Sequence, residues 1–132
     1  MDKEQLQWDI IEKAKLVLIN WSSNNNVYIH EVYFVPMNDF SLEVYIFYRN
    51  DNDIILNKGN GISDDVKQIF LKTLSDMDYF RYYKNNISFI FDSHENVVKN
   101  YSGSYFFRLR WTLDDFAESV SRIALPFVNA NR

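Results

Sequence analysis

The chain has 132 residues, of which 47% are hydrophobic and 17% aromatic, so it is long enough to bury a core without covalent links. It contains no cysteine, which excludes a disulfide framework and a thiolate metal site. The net charge of −4 argues against direct nucleic-acid binding, because that binding needs many basic contacts to phosphate.

Charge is distributed unevenly along the chain. Residues 1–65 hold 11 acidic and 5 basic residues, whereas residues 66–132 hold 7 and 9. An acidic half in a compact protein favours contact with a basic partner. The sequence from Met1 onward shows no basic stretch followed by an apolar one, and no apolar run has the length needed to cross a bilayer. We therefore expect a cytoplasmic protein without membrane contact.

The first predicted element is a helix over residues 3–21, because apolar residues recur there at helical spacing. Its predicted buried face consists of Leu6, Ile10, Ile11, Ala14, Val17, Leu18 and Trp21. The polar run 22–26 ends this helix, since short polar side chains favour turns. A strand over residues 27–35 is expected next and ends at Pro36.

The clearest alternation of the chain covers residues 40–49 and predicts a strand of a half-buried antiparallel hairpin. One predicted face carries Phe40, Leu42, Val44, Ile46 and Tyr48, and the other carries Ser41, Glu43, Tyr45, Phe47 and Arg49. A turn over residues 50–53 and a short third strand at 54–56 are expected to follow.

A second helix is predicted to begin at Ser63, whose side chain is of the type that caps a helix N-terminus. Asp64 and Asp65 then lie at the positive end of the helix dipole. Phe70 belongs to its apolar stripe, so we expect that ring to be buried.

Two strands, over residues 87–91 and 104–111, are predicted to form a second hairpin. The polar residues 92–103 between them are expected to form its loop. Phe107 is expected to be buried within the later strand. A final helix is predicted over residues 112–127, where apolar residues again recur at helical spacing.

The resulting element order is α-β-β-(β)-α-β-β-α, which predicts a single α+β domain over residues 1–132 with an antiparallel sheet packed by helices. Helices tend to gather on one side of such a sheet, so its other face is expected to be partly uncovered. The residues expected on that face are Glu43, Tyr45, Phe47, Ile90, Phe106 and Arg108. An exposed aromatic patch with a charged rim is typical of a protein interface.

The sequence offers little support for catalysis or cofactor binding. His30 and His94 do not lie at a metal-ligand spacing. The segment 92–95 contains a carboxylate, a hydroxyl and an imidazole, but adjacent residues of a polar loop rarely converge, so we expect a solvated turn. The glycines of residues 59–61 are followed by two aspartates that occupy the anion position themselves. We therefore predict no catalytic residues, no metal and no cofactor.

Acidic residues flank the alternating strand. Asp39 precedes it and Asp51 and Asp53 follow it, while Glu43 and Tyr45 lie on its predicted outer face. Folding can gather these five side chains into an acidic, aromatic-anchored surface for a partner protein. The alternative is that the three aspartates are ordinary solvated turn residues.

The strand Glu43–Tyr48, the helix after it and the segment Ile87–Ser93 resemble the immunity proteins of bacterial contact-dependent inhibition and polymorphic toxin systems. The resemblance covers the pattern of residues 27–110. It implies a protein that binds the C-terminal toxin domain of its cognate effector, often a nuclease, and blocks it. Because nucleases need cationic surfaces for nucleic acid, an acidic inhibitor can compete by charge complementarity.

A second family shares the predicted element order. Class I type III secretion chaperones are small acidic α-β-β-β-α-β-β-α proteins that dimerise and hold an effector segment extended. An enzyme with an aromatic pocket is the third hypothesis, because a sheet with one open face can enclose a small ligand. The sequence leaves the oligomeric state open, together with the toxin class and the way in which the toxin would be blocked.

Overall fold

The computed structural model describes residues 3–37, 41–81 and 86–110. Within these ranges the chain forms an α+β fold of five α-helices, a short 3-10 helix and a mixed three-stranded sheet. The elements in chain order are α1 (Lys3–Asn24), β1 (Glu31–Pro36), β2 (Leu42–Tyr48), α2 (Asp51–Gly59), α3 (Ile62–Asp76), the 3-10 helix (Tyr79–Arg81), β3 (Ile87–Ser93), α4 (His94–Tyr101) and α5 (Tyr105–Leu109). The chain divides into two compact units, Met1–His94 and Glu95–Arg132. Across the described ranges, no helix combines the length and apolarity that a membrane span requires.

The central strand of the sheet is β2. It pairs with β1 in antiparallel fashion and with β3 in parallel fashion. The prediction of an antiparallel sheet is therefore correct for the first pair and wrong for the second. Helices α2 and α3 connect β2 to β3, and a helical crossover of this kind returns the chain in the same strand direction. All seven residues of β2 are buried, so the half-buried prediction is also wrong.

One face of β2 belongs to the hydrophobic core, together with α1 and α3. The buried core residues are Ile10, Ile11, Ala14, Leu18, Val27, Val32, Leu42, Val44, Ile46, Tyr48, Val66, Phe70, Leu74 and Tyr79. The predicted helices at both places are confirmed, with α1 extending to Asn24. Val17 is an exception within the predicted face of α1, because 43% of it is exposed.

The short strand expected at residues 54–56 and the turn expected at 50–53 are both wrong, since α2 occupies this segment. Asn50 caps the helix by accepting a hydrogen bond from the Asp53 backbone N–H at 2.9 Å. Asp51 and Asp53 lie in the first turn, where carboxylates stabilise the positive end of the helix dipole. These local interactions outweigh the strand preference of the three aliphatic residues that follow.

Helix α3 begins at Ile62 and not after a Ser63 cap. Its N-cap is Gly61, whose φ of 85° is favourable for glycine and strained for other residues. Ser63 lies inside the first turn and is buried, and its hydroxyl is 2.8 Å from that of Tyr48. Ser63 thus links the helix to the sheet instead of capping it.

Two further predictions about the second half of the chain are wrong. The segment 92–103 contains the end of β3 and helix α4, and the expected strand at 104–111 contains helix α5. Helix α4 ends in a glycine C-cap motif, in which the Gly103 N–H donates to the Val97 carbonyl at 2.9 Å. Ser104 then caps α5 by accepting from the Phe107 N–H at 3.2 Å.

Some predictions fall on residues outside the described ranges. These are the site residue Asp39, the strand residue Phe40, the strand end at Trp111 and the final helix over residues 112–127. Of the two rings expected in the core, Phe70 is completely buried, whereas Phe107 is 50% exposed and the prediction for it is wrong. Helix α5 places Phe107 at a position that the alternating pattern had assigned to a buried strand face.

We predict that Phe70→Ala lowers the free energy of unfolding by about 3–5 kcal/mol, because it leaves a cavity in the core. The ring lies 5.8 Å from Phe34 and 5.9 Å from Phe89, so two ring contacts are lost as well. Phe107→Ala is the matched control, and its exposed ring predicts a loss of about 0.5 kcal/mol or less. Urea unfolding measures both. Equal losses in the two variants would contradict this packing.

Candidate functional site

Two of the predicted partner-binding residues lie inside the fold. Glu43 is 5% exposed and Tyr45 is 2% exposed. The Tyr45 hydroxyl donates to Oε1 of Glu43 at 3.3 Å, and the Tyr45 ring stacks near Phe47 at a centroid distance of 6.3 Å. The predicted open face of the sheet is therefore buried at these positions. The central place of β2 explains this, because a strand paired on both sides and parallel to one neighbour is usually covered on both faces.

Asp51 and Asp53 are the predicted site residues that the structure brings together, on the first turn of α2. The Ser93 hydroxyl donates to Oδ1 of Asp51 at 2.6 Å, which ties the start of α2 to the end of β3. Glu43 lies near the other end of β2, about 17 Å along the strand from its last residue Tyr48 at 3.3 Å per residue. Among the described residues, the predicted acidic surface is therefore divided: Glu43 and Tyr45 are buried, Asp51 is exposed and Asp53 is partly exposed.

Helix α2 has no buried residue, and its outward side is both aliphatic and acidic. Ile55 is 71% exposed and Leu56 is 55% exposed. Helical spacing places Ile55 on the same side as Asp51, four residues earlier. We call Asp51, Asn52, Ile55 and Leu56 the α2 face. Sequence reasoning missed this face because it assigned the aliphatic residues to a strand; the capping residue Asn50 was the signal of a helix.

The inward side of α2 is held by a buried hydrogen-bond network. Asn57 bonds to the Tyr48 side chain, and the Tyr48 hydroxyl also bonds to Ser63 on α3. Burial raises the pKa of Tyr48, so the phenol stays protonated and keeps its proton for this network. Ile54 packs against the hydrophobic core. The α2 face thus lies on a helix whose opposite side is held in place by Tyr48 and the hydrophobic core.

A second cluster of polar and aromatic side chains lies at the end of the sheet where β1 begins and β3 ends. The rings of His30 and His94 stack at a centroid distance of 4.0 Å. The Tyr28 hydroxyl lies 3.1 Å from Nδ1 of His30, and the Arg49 guanidinium lies 4.2 Å from the centre of the Tyr28 ring. Sequence reasoning missed this cluster because its histidines are far apart in the chain and meet only through the strand register.

The titration of His30 is shifted by its surroundings. Burial is the largest cause that lowers its pKa from the ordinary value of 6.5, and His94 and Arg49 act in the same direction. Glu31 opposes them by stabilising the charged ring. The neutral form is therefore favoured near pH 7, and in the tautomer protonated at Nε2 its Nδ1 accepts a hydrogen bond from the Tyr28 hydroxyl.

The position of Ser93, the serine of the segment 92–95, does not suit a nucleophile. Ser93 is completely buried and its hydroxyl donates a hydrogen bond to Asp51, so a substrate has no access to it in this conformation. The expected solvated turn is also wrong, because Asp92 and Ser93 are both buried. Among the residues that the structure describes, no three His, Asp or Glu side chains are grouped so that they could hold a metal ion.

Comparisons with protein-family models, with curated proteins and with solved structures found no match to this chain. Function is therefore inferred from the geometry of the chain itself. The α2 face combines exposed aliphatic side chains with carboxylates, and α1 also carries exposed apolar residues.

We predict that the protein loses stability as the pH falls below about 6.5 and that His30 contributes to this loss. The lowered pKa means that the unfolded state binds a proton more readily than the folded state in this window, so acid favours unfolding. His30→Gln should reduce the slope of unfolding free energy against pH. Urea unfolding between pH 5 and 8 measures the slope, and an unchanged slope in the variant would contradict the assignment.

Proposed function

We propose that the protein is an immunity protein that binds and neutralises the toxin domain of a cognate effector, with a nuclease as the expected toxin class. The α2 face is its contact surface. The observation that carries this proposal is the pair of exposed neighbours Ile55 and Leu56, beside Asp51, on a helix without buried residues. Exposed aliphatic side chains next to charged ones are typical of the centre and rim of a protein interface.

The aliphatic pair supplies the expected binding energy. Full burial of one such side chain contributes roughly 1.5–3 kcal/mol, so Ile55 and Leu56 together can provide the central contact of an interface. Because Asn50 caps α2 and Tyr48 bonds to Asn57 on its inward side, little conformational entropy is lost when a partner covers the α2 face.

The carboxylates supply attraction to a basic partner. Asp51 and Asp53 lie in the first turn of α2, and Asp64 and Asp65 lie in the first turn of α3. These four side chains belong to the acidic half of the chain. A nuclease needs a cationic surface for its substrate, and an acidic inhibitor is attracted to that same surface.

The secretion chaperone is the alternative. The described elements follow the order α-β-β-α-α-β-α-α, which departs from the predicted order on which both interpretations are based, so the element order does not separate them. A chaperone would dimerise through an exposed apolar element, and α1 offers Trp8, Leu16 and Ile19. Light scattering separates the two functions, since a stable dimer in the absence of a partner favours the chaperone.

We predict that Ile55→Asp abolishes protection against the cognate toxin domain, sought in the neighbouring gene, and weakens binding about 30-fold or more, as for a central interface residue. The variant should fold normally, because Ile55 is 71% exposed. Growth after co-expression measures protection, and calorimetry measures the dissociation constant.

Leu16→Asp is the matched control for this experiment, because Leu16 is a similarly exposed aliphatic residue on the helix α1. It should keep full protection and affinity. Loss of protection in the control with none in Ile55→Asp would move the interface to α1. Absence of any binding to the neighbouring toxin domain by the unchanged protein would contradict the proposed function itself.

We further predict that Asp53→Asn slows association with the toxin domain by about two- to fivefold at low salt, while the dissociation rate changes little. Steering by charge is screened over about 8–10 Å at ordinary ionic strength, so the effect should shrink as salt is added. Asp76→Asn is the control, because Asp76 ends α3 and lies about 16 Å from the first turn of that helix. Surface plasmon resonance at two salt concentrations measures the rates, and equal effects of both changes would contradict steering through α2.

A further inference from the structure

A cleft of about 300 Å³ lies between α2, α3 and β3. Its lining residues are Ile54, Lys58, Ser63, Asp64, Lys67 and Phe91. It opens on a different side of α2 from Ile55 and Leu56, because Ile54 points inward. The proposed contact with a toxin therefore does not account for this cleft.

The apolar floor of the cleft is held in place by the core. Ile54 and Phe91 are partly buried and pack against the hydrophobic core. The Phe91 ring stacks on Tyr48 at a centroid distance of 5.8 Å with an angle of 12° between the rings. The Tyr48 hydroxyl also bonds to Ser63 in the cleft wall. Floor and wall are thus fixed by the same tyrosine, and ligand pockets are typically formed in advance in this way.

The charges at the cleft favour an anion. Lys58 and Lys67 both line it, against the single carboxylate of Asp64. Lys67 and Asp64 approach to only 3.7 Å, and 79% of the Asp64 side chain is exposed. Such an exposed pair is weak, so a competing carboxylate can take the lysine without a large loss. Within the described parts of the chain, Lys58 has no ion pair.

We propose that this cleft binds an organic anion in which a carboxylate is joined to one aromatic or branched aliphatic group. The apolar group lies on Ile54 and Phe91, and the carboxylate meets Lys58 and Lys67. The volume is at the lower limit of small-molecule pockets, which suits a single ring. A free carboxylic acid with an aromatic or branched aliphatic group and the C-terminal residue of a peptide share this chemistry.

The test is an NMR titration of the whole protein with phenylacetate, followed through the backbone amides. We expect saturable shifts at Ile54, Ser63, Lys67 and Phe91 with a dissociation constant of about 1 mM or lower. Phenylacetamide has the same ring without the charge, and it should bind at least about fivefold more weakly. A short peptide ending in phenylalanine distinguishes the sources: tighter binding than phenylacetate assigns the site to a peptide C-terminus, and weaker binding assigns it to the free acid.

The double variant Lys58→Gln with Lys67→Gln should weaken phenylacetate binding at least about fivefold and leave the amide spectrum outside the cleft unchanged. Lys72→Gln is the control, because Lys72 is on the same helix α3 but pairs with Asp76 at 2.8 Å. It should bind phenylacetate like the unchanged protein. The absence of saturable shifts at the cleft, or equal affinity for phenylacetate and phenylacetamide, would overturn the proposal. Neither result depends on the toxin, so this test is separate from that of the proposed function.

Discussion

The burial of β2 on both faces is the constraint on which the rest of the structure depends. The strand has a neighbour on each side, β1 and β3, and none of its seven residues is exposed. Its one acidic residue, Glu43, is therefore taken out of water and accepts a hydrogen bond from Tyr45. The sheet offers no open surface at this strand, so the partner surface that we propose is on a helix.

The parallel pairing of β2 with β3 determines where polar side chains collect. Both strands end at the same edge of the sheet, and β1 begins there. This edge holds the stacked pair of His30 and His94, and it ties Ser93 to Asp51 at the start of α2. The helix that carries the proposed interface is thus anchored directly to the sheet, and its three aliphatic residues divide between the core and the solvent.

Long, strongly periodic segments could be predicted from the sequence, and α1, α3 and the strand nature of β2 are examples. The burial of Tyr45 could not, because alternation looks the same whether the polar side of a strand meets water or a buried hydrogen-bond partner. Helix α2 was missed because its aliphatic residues favour a strand, and the Asn50 cap outweighs that preference. The cleft beside Phe91 requires the packing of three elements, so no local pattern indicates it.

Hydrogen exchange on a complex with the proposed toxin domain, sought in the neighbouring gene, tests the central claim most directly. If α2 is the contact, its amides should exchange more slowly in the complex than in the free protein, while those of the buried strand β2 are protected in both. Slower exchange confined to α1 around Leu16, with α2 unchanged, would contradict the account and assign the partner surface to the first helix.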